Sequence, residues 1–476
     1  MGTLSLAEIQ EKLLDGSLTC RRIVDTYLSR IEASKHLNAY VEVYAEEVIR
    51  QADILDGKIK NKRTELGRLF GCVFSVKDMI VLENHGVTAG SRILEGFKSR
   101  FTATCLQRML DEDAIVIGRT NCDEFGMGSA NLHSHYGSVG NAVDPERVSG
   151  GSSGGAAVSV QAGTCLVALG TDTGGSVRQP AAMTGTFGFK PTYGMVSRYG
   201  LIAYASSFDQ LGVIAGRAED VDRVMDVVSS VDPHDGTMLQ RGLYGSQLTE
   251  KKETYRLAWF PEAVETDGID DEVRDRFSSF RAYLSRQGHT VEPVGFDLLD
   301  YLVPCYYILT TAEASSNLSR YDGVKYGYRS KKAKNINDLY VMSRSEGFGS
   351  EVKKRIMLGS FVLSEGYYDA YFSKAQKVRT LVRNRLQEIF GGFDFIVLPT
   401  SPVAAWKKSE KAENPLSEYM ADIYTVLASL AGMPAISVPS GNNSGGLPLG
   451  IQLIAPAGSD KKLVGFCKDI TDWHNI

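Results

Sequence analysis

The chain has 476 residues, 43% of them hydrophobic, enough to bury a large core as one α/β unit or as two to three ordinary domains. A formal net charge of −5 excludes a dominant basic face, so unaided gripping of a nucleic-acid backbone is not expected. The seven cysteines are scattered and form no Cys-x-x-Cys, which excludes a disulfide framework or zinc knuckle and fits a reducing cytoplasm.

In chain order, Ser5-x-x-Glu8 is a capping-box pattern opening a helix that ends at Asp15-Gly16. Acidic residues stand there where a secretory leader carries a basic end, so the segment reads as a helix of the folded protein. Thr19 then caps a second helix with Ile23, Val24, Tyr27, Leu28 and Ile31 on one face. From about residue 67, short apolar runs at 73–76, 114–117, 165–169, 257–260 and 395–398 alternate with Gly-rich turns and helical patterns. That alternation predicts an α/β fold with a mainly parallel or mixed sheet. The most apolar window, 156–170, is broken by Ser159, Gln161 and Gly163 and falls short of the roughly 20 apolar residues a membrane helix needs. Residues 270–390 are richer in helix signals, with Val273, Phe277, Phe280 and Leu284 at helical spacing, and 320–360 are polar enough to predict a surface position. No repeat or Pro/Ser-rich linker divides the chain, so one domain is expected.

Two glycine-rich segments carry the chemistry: Gly150-Gly151-Ser152-Ser153-Gly154-Gly155 and Gly170-Thr171-Asp172-Thr173-Gly174-Gly175-Ser176. Successive backbone N–H groups in such segments can form a concave nest for a phosphate or an oxyanion; the plainer alternative is a pair of tight turns packing helix on sheet. A nucleotide loop is excluded, since neither segment ends in Gly-Lys-Ser/Thr and no G-x-G-x-x-G opens a helix. An α/β-hydrolase elbow is a poor fit: G-x-S-x-G occurs, but only His234, His289 and His474 follow, each in a surface-like context. A serine–serine–lysine arrangement needs a lysine in apolar surroundings that lower its pKa, and Lys77, closing 73–76 and followed by Met79-Ile80, meets that need. The alternative for Lys77 is a strand-end residue paired with Asp78.

The G-G-S-S-G-G block, then T-D-T-G-G-S-V-R-Q-P-A with Ser176 24 residues after Ser152 and Lys77 99 before Ser176, resembles the amidase-signature family. The resemblance implies a single α/β domain with a central mixed sheet covered by helices, with N-terminal helices at about 1–60, a signature core at about 67–215 and a C-terminal, substrate-side elaboration at about 255–476. It also implies Ser176 as nucleophile, Ser152 as relay and Lys77 as base, with the N–H groups of Thr173, Gly174, Gly175 and Ser176 as oxyanion hole. Asp172 and Arg178 are read as braces of that loop.

Further blocks at 306–307, 312–320, 342–349 and 366–371 are similar to those of the A subunits of tRNA-dependent amidotransferases. That likeness implies glutamine as substrate, with Arg355 on its α-carboxylate, Asp422, on a predicted helix, on its α-ammonium, Tyr306 adding a hydroxyl contact, and Met127, Gly128 and Ser129 in a substrate-side loop. Judged by its neighbours alone, Lys353-Lys354-Arg355 reads as a solvated helix face. The likeness further implies companion B and C subunits in a cytoplasmic heterotrimer, a misacylated tRNA held mainly by the partner, and ATP and Mg on the partner. No cofactor and no metal are expected in this chain, and His133-x-His135 reads as a loop feature. Two alternatives remain open: a stand-alone amidase of small carboxamides and a catalytically silent scaffold protein.

Overall fold

A computed structural model describes residues 4–61, 65–240, 243–246, 252–266, 268–412, 421–470 and 473. Its frame is one eleven-stranded mixed sheet of β1 (Tyr40–Val43), β2 (Val73–Lys77), β3 (Ile115–Thr120), β4 (Val167–Asp172), β5 (Phe187–Lys190), β6 (Gln210–Ala215), β7 (Arg256–Trp259), β8 (Thr290–Pro293), β9 (Phe395–Pro399), β10 (Ala435–Asn442) and β11 (Pro448–Ile454). The spatial order is β1-β3-β2-β4-β6-β5-β10-β11-β9-β7-β8. Parallel ladders join β3 to β2 and β2 to β4, and again β9 to β7 and β7 to β8, while the middle of the sheet, from β4 to β9, is antiparallel throughout. The five predicted apolar runs fall on β2, β3, β4, β7 and β9, each run lying within about two residues of its strand.

Between partly exposed edge strands β1 and β8, the sheet is buried on both faces because helices cover it, as its continuous apolar strands require. The capping box at Ser5 forms, its hydroxyl accepting from the Glu8 N–H while Glu8 reaches back, and it opens the helix Leu6–Leu14; Thr19 caps Cys20–Ala33. Helix Gly154–Gln161 packs on β2, β4 and β6, and helix Arg178–Thr184 on β5, β10 and β11, so each glycine-rich segment runs directly into a helix pressed on the sheet. Val273, Phe277, Phe280 and Leu284 form the buried face of Asp271–Arg286. All seven cysteines are free and buried. No described helix is long and apolar enough to cross a membrane.

The expectation that 320–360 lies wholly on the surface is corrected. Helix Ser350–Val362 packs against Leu299–Asn317, and Glu351, Val352, Arg355, Gly359 and Val362 form its buried face. Three- and four-residue spacing puts these side chains on one stripe, so a locally polar segment still owns a core-facing side.

Candidate active site

β2 and β4 are parallel neighbours, with Phe74 opposite Val167 and Val76 opposite Leu169, so their C-terminal ends lie side by side. Lys77 therefore emerges beside Thr171. Its ammonium donates to Thr171 Oγ1 at 2.9 Å, to Ser152 Oγ at 2.8 Å and to Ser153 Oγ at 2.9 Å. The side chain has no solvent exposure, and burial brings its pKa down to about 8, against the opposing pull of nearby Asp123, Asp172 and Asp209. Asp78 is not its partner: that carboxylate binds the Arg119 guanidinium and accepts from the N–H groups of Thr88 and Gly90.

The peptide between Gly151 and Ser152 is cis. The Ser153 N–H donates to Ser176 O at 3.1 Å, which joins the two glycine-rich segments, and Ser176, 8% exposed, is the most open of the three expected catalytic residues. The N–H groups of Thr173, Gly174, Gly175 and Ser176 donate to no other described residue. Four consecutive donors around one serine form the nest that an oxyanion requires. Glycine is needed here by space as well as by conformation. A Cβ on Gly174 would strike the Tyr306 ring, and one on Gly175, at φ +140°, would strike the Thr425 side chain.

The brace read from sequence is present. Arg178 Nη2 donates to Asp172 Oδ1 at 2.8 Å and Nε to Oδ2 at 3.0 Å, both groups without solvent exposure. Burial opposes the charge on Asp172, yet Arg178 outweighs it and holds the carboxyl below its ordinary value. Arg178 also donates to Thr425 O at 2.8 Å and Ser429 Oγ at 3.0 Å, and Thr425 Oγ1 donates to Gly174 O at 2.6 Å. The loop that carries Ser176 is thereby fastened to the segment that carries Asp422.

The residues expected to bind glutamine converge on this loop from distant parts of the chain. Tyr306, on Leu299–Asn317, lies against Gly174. Arg355 is 6% exposed, which overturns the solvated-face reading; its Nε donates to Glu351 Oε1 at 2.9 Å and its Nη1 to the Tyr204 hydroxyl at 2.8 Å. Asp422 lies in a turn and not on the predicted helix, which begins only at Val426. Its Oδ2 accepts from Ser129 Oγ at 2.6 Å, and Gln179 bridges Ser129 O, at 2.8 Å, to the Gly151 N–H, at 2.9 Å. Met127, Gly128 and Ser129 follow a single 3₁₀ turn, Glu124–Gly126. The Met127 side chain sits in the hydrophobic core, so any part it takes in substrate binding falls to its backbone; Gly128 is pressed against Asp123.

Three features escaped the sequence reading. Lys190, at the end of β5, is a second fully buried lysine, which burial and Arg178 bring to about 7; the run Phe187-Gly188-Phe189 before it carried the same signal as Lys77. Tyr204 and Asp209, which touch Arg355 and Thr173, have no local pattern to reveal them. The histidines do not compete for the serines: His234 pairs with Asp232 at 2.9 Å, His289 accepts from the Tyr255 N–H, and His474 lies outside the described residues. Among the described residues no cluster of three or more His, Cys, Asp or Glu side chains is arranged to hold a metal ion.

The family model described as Amidase matches residues 22–464. The A subunit of a glutamyl-tRNA(Gln) amidotransferase from Prosthecochloris aestuarii is 44% identical over 473 residues, covering 98% of each chain, and that from Chlorobium limicola is 43% identical over 468 residues with the same coverage. The crystal structure of the corresponding A subunit from Thermotoga maritima superposes with a TM-score of 0.80 at 37% identity, covering 99% of this chain and 95% of that one. A bacterial aryl acylamidase of the amidase-signature family shares the fold at a TM-score of 0.84 and 23% identity. A lysine-served serine pair on this sheet, matched along nearly its whole length by the family, means that the chain belongs to the amidase-signature enzymes.

Proposed function

We propose that this chain is the glutaminase of a tRNA-dependent amidotransferase, hydrolysing glutamine to glutamate and supplying ammonia for amidation of Glu-tRNA(Gln) and/or Asp-tRNA(Asn) on a partner subunit. The observation that carries the chemistry is the wholly buried Lys77 amine, near pKa 8, hydrogen-bonded to Ser152. In its neutral form it takes the Ser152 proton as Ser152 takes that of Ser176, whose Oγ bonds to the amide carbon. The oxyanion falls among the N–H groups of 173–176. Collapse breaks the C–N bond, the proton held by Lys77 returns through Ser152 to the leaving ammonia, and water then releases glutamate from the Ser176 ester.

Arg355 and Asp422 supply the opposite charges a free α-amino acid needs. With Nε engaged by Glu351 and one Nη1 N–H by Tyr204, Nη2 of Arg355 donates to no described residue and is assigned to the α-carboxylate. Asp422, held by Ser129, takes the α-ammonium, and Tyr306 adds a hydroxyl. The multisubunit setting is supported by relatives that are named as A subunits; companion B and C subunits, with ATP, Mg and the charged tRNA on the partner, complete the reading.

The test is glutamate release from glutamine by the purified chain, alone and with B and C partners, with Ser176→Ala as control and a primary amide lacking both α charges as second substrate. The reading expects serine-dependent turnover of glutamine that rises with partners and charged tRNA. Turnover of the simple amide with none of glutamine would return the chain to amidases of small carboxamides, and partner assembly with no turnover of either would make it a scaffold.

A further inference from the structure

Asp209 precedes β6 and is 6% exposed, with no cation in its hydrogen-bonding shell. Its Oδ1 accepts from Thr173 Oγ1 at 2.7 Å and from the Ala205 N–H at 3.2 Å, and its Oδ2 accepts from the Tyr204 N–H at 2.9 Å. Tyr204 continues the line: its phenol accepts from Arg355 Nη1 at 2.8 Å and donates to Thr310 Oγ1 at 3.0 Å. Thr173 is the first residue of the oxyanion loop, and its hydroxyl is spent on Asp209, so the carboxylate fixes where that loop begins.

We infer that Asp209 is a positioning residue for amide hydrolysis, fastening the oxyanion loop through Thr173 and the residue that orients Arg355 through the Tyr204 backbone, so that both share one frame. The part played by Arg355 rests on the glutaminase reading; the hold on Thr173 concerns any amide. A carboxylate suits the task because it accepts all three donors at once, whereas an acid or an amide must turn a donor toward one of them.

The same geometry predicts a pH signature. Burial pushes the Asp209 carboxyl up to about 6, against the three hydrogen bonds and with Glu313 adding to the rise. Arg198, which is paired to Asp235, and Lys77 also face it, and His234 lines the cavity of about 290 Å³ on its open side. Lys77 must be neutral to act and titrates near 8, so log kcat/KM falls with a slope of one between pH 8 and 6 and more steeply just below about 6, where Asp209 also protonates.

The experiment measures kcat and KM from pH 5 to 9 for wild type, Asp209→Asn, Thr173→Val and the double variant, with melting temperatures alongside, on glutamine and on an uncharged primary amide. Each single variant is expected to lose roughly tenfold to a hundredfold in kcat at pH 8, as a displaced reacting group would. KM for the uncharged amide should stay within about twofold, the double variant should be no worse than the worse single one, and Asp209→Asn should keep a slope of one below pH 6. If Asp209→Asn does not fold, Thr173→Val alone carries the comparison, since it removes the same hydrogen bond. Undiminished kcat in Thr173→Val, or losses that multiply in the double variant, would overturn the inference. Failure of the glutaminase reading shows separately, as wild-type turnover of the simple amide only.

Discussion

At the scale of single residues, Lys77 answers to two demands, since the burial that suits it to the proposed role of base also opposes its charged form. An unfolded lysine titrates near 10.5 and this one near 8, so folding releases a proton between those values. The cost to stability, about 3 kcal/mol for a shift of that size, is complete below pH 8 and disappears as pH rises to 10.5. Replacing Lys77 by Met should therefore lower kcat/KM about a hundredfold to ten-thousandfold and should also flatten the rise of stability between pH 8 and 10.5. Denaturant titrations across that range check it; an unchanged slope would mean that Lys77 is not the group that titrates. Loss of Arg355 or Asp422 should act differently. Arg355→Ala and Asp422→Ala should each raise KM for glutamine by roughly tenfold or more, as the loss of a charge-assisted contact does, with little effect on an amide that lacks α charges. Steady-state kinetics on the two substrates separates these outcomes. Residues differ in how much of this their sequence neighbours disclose. Lys77 was legible because an apolar strand ran up to it, yet Lys190 has the same setting and its ammonium donates to Pro191 O and to no described serine, so the pattern marks burial and not chemistry. Arg355 was hidden by two adjacent lysines; only its spacing from Val352, Gly359 and Val362 marks the inward stripe.

Among elements, the strongest tie is Arg178, which opens its own helix and reaches Asp172 at the end of β4, Ser429 on the helix Val426–Ala431 and Gln452 on β11. Removing it strands Asp172, which has no exposure, without its cation. Arg178→Met should cost about 3–5 kcal/mol, and Asp172→Asn added to it should restore part of that loss, because the uncompensated charge is the larger share. Equilibrium unfolding of the two variants checks both numbers. The same tie explains why Asp422 was misplaced by sequence. Thr425 gives its hydroxyl to Gly174 and its carbonyl to Arg178, contacts made with residues some 250 positions away, and these hold 421–425 as a turn where local pattern predicts helix. The apolar strands were legible because burial on both faces makes each a continuous hydrophobic run. That same burial erases the alternation that would have told the antiparallel middle of the sheet from its parallel flanks.

For the whole molecule, the order of the strands matters more than their number. β10 and β11, formed by residues 435–454, stand in the middle of the sheet, between β5 and β9, and they follow every other described strand in sequence. A chain ended at residue 434 should therefore lose the cooperative thermal transition and aggregate, although it retains every residue assigned to the active site; a sharp calorimetric peak from that truncation would contradict this. The arrangement also sets a timetable for synthesis. While the chain is still emerging, β5 and β9 are open edges on two unjoined half-sheets, with backbone groups that pair readily with any extended neighbour. Until β11 arrives, Arg178 lacks its Gln452 acceptor and the loop that carries Ser176 lacks part of its brace, so an incomplete chain is expected to turn over no glutamine.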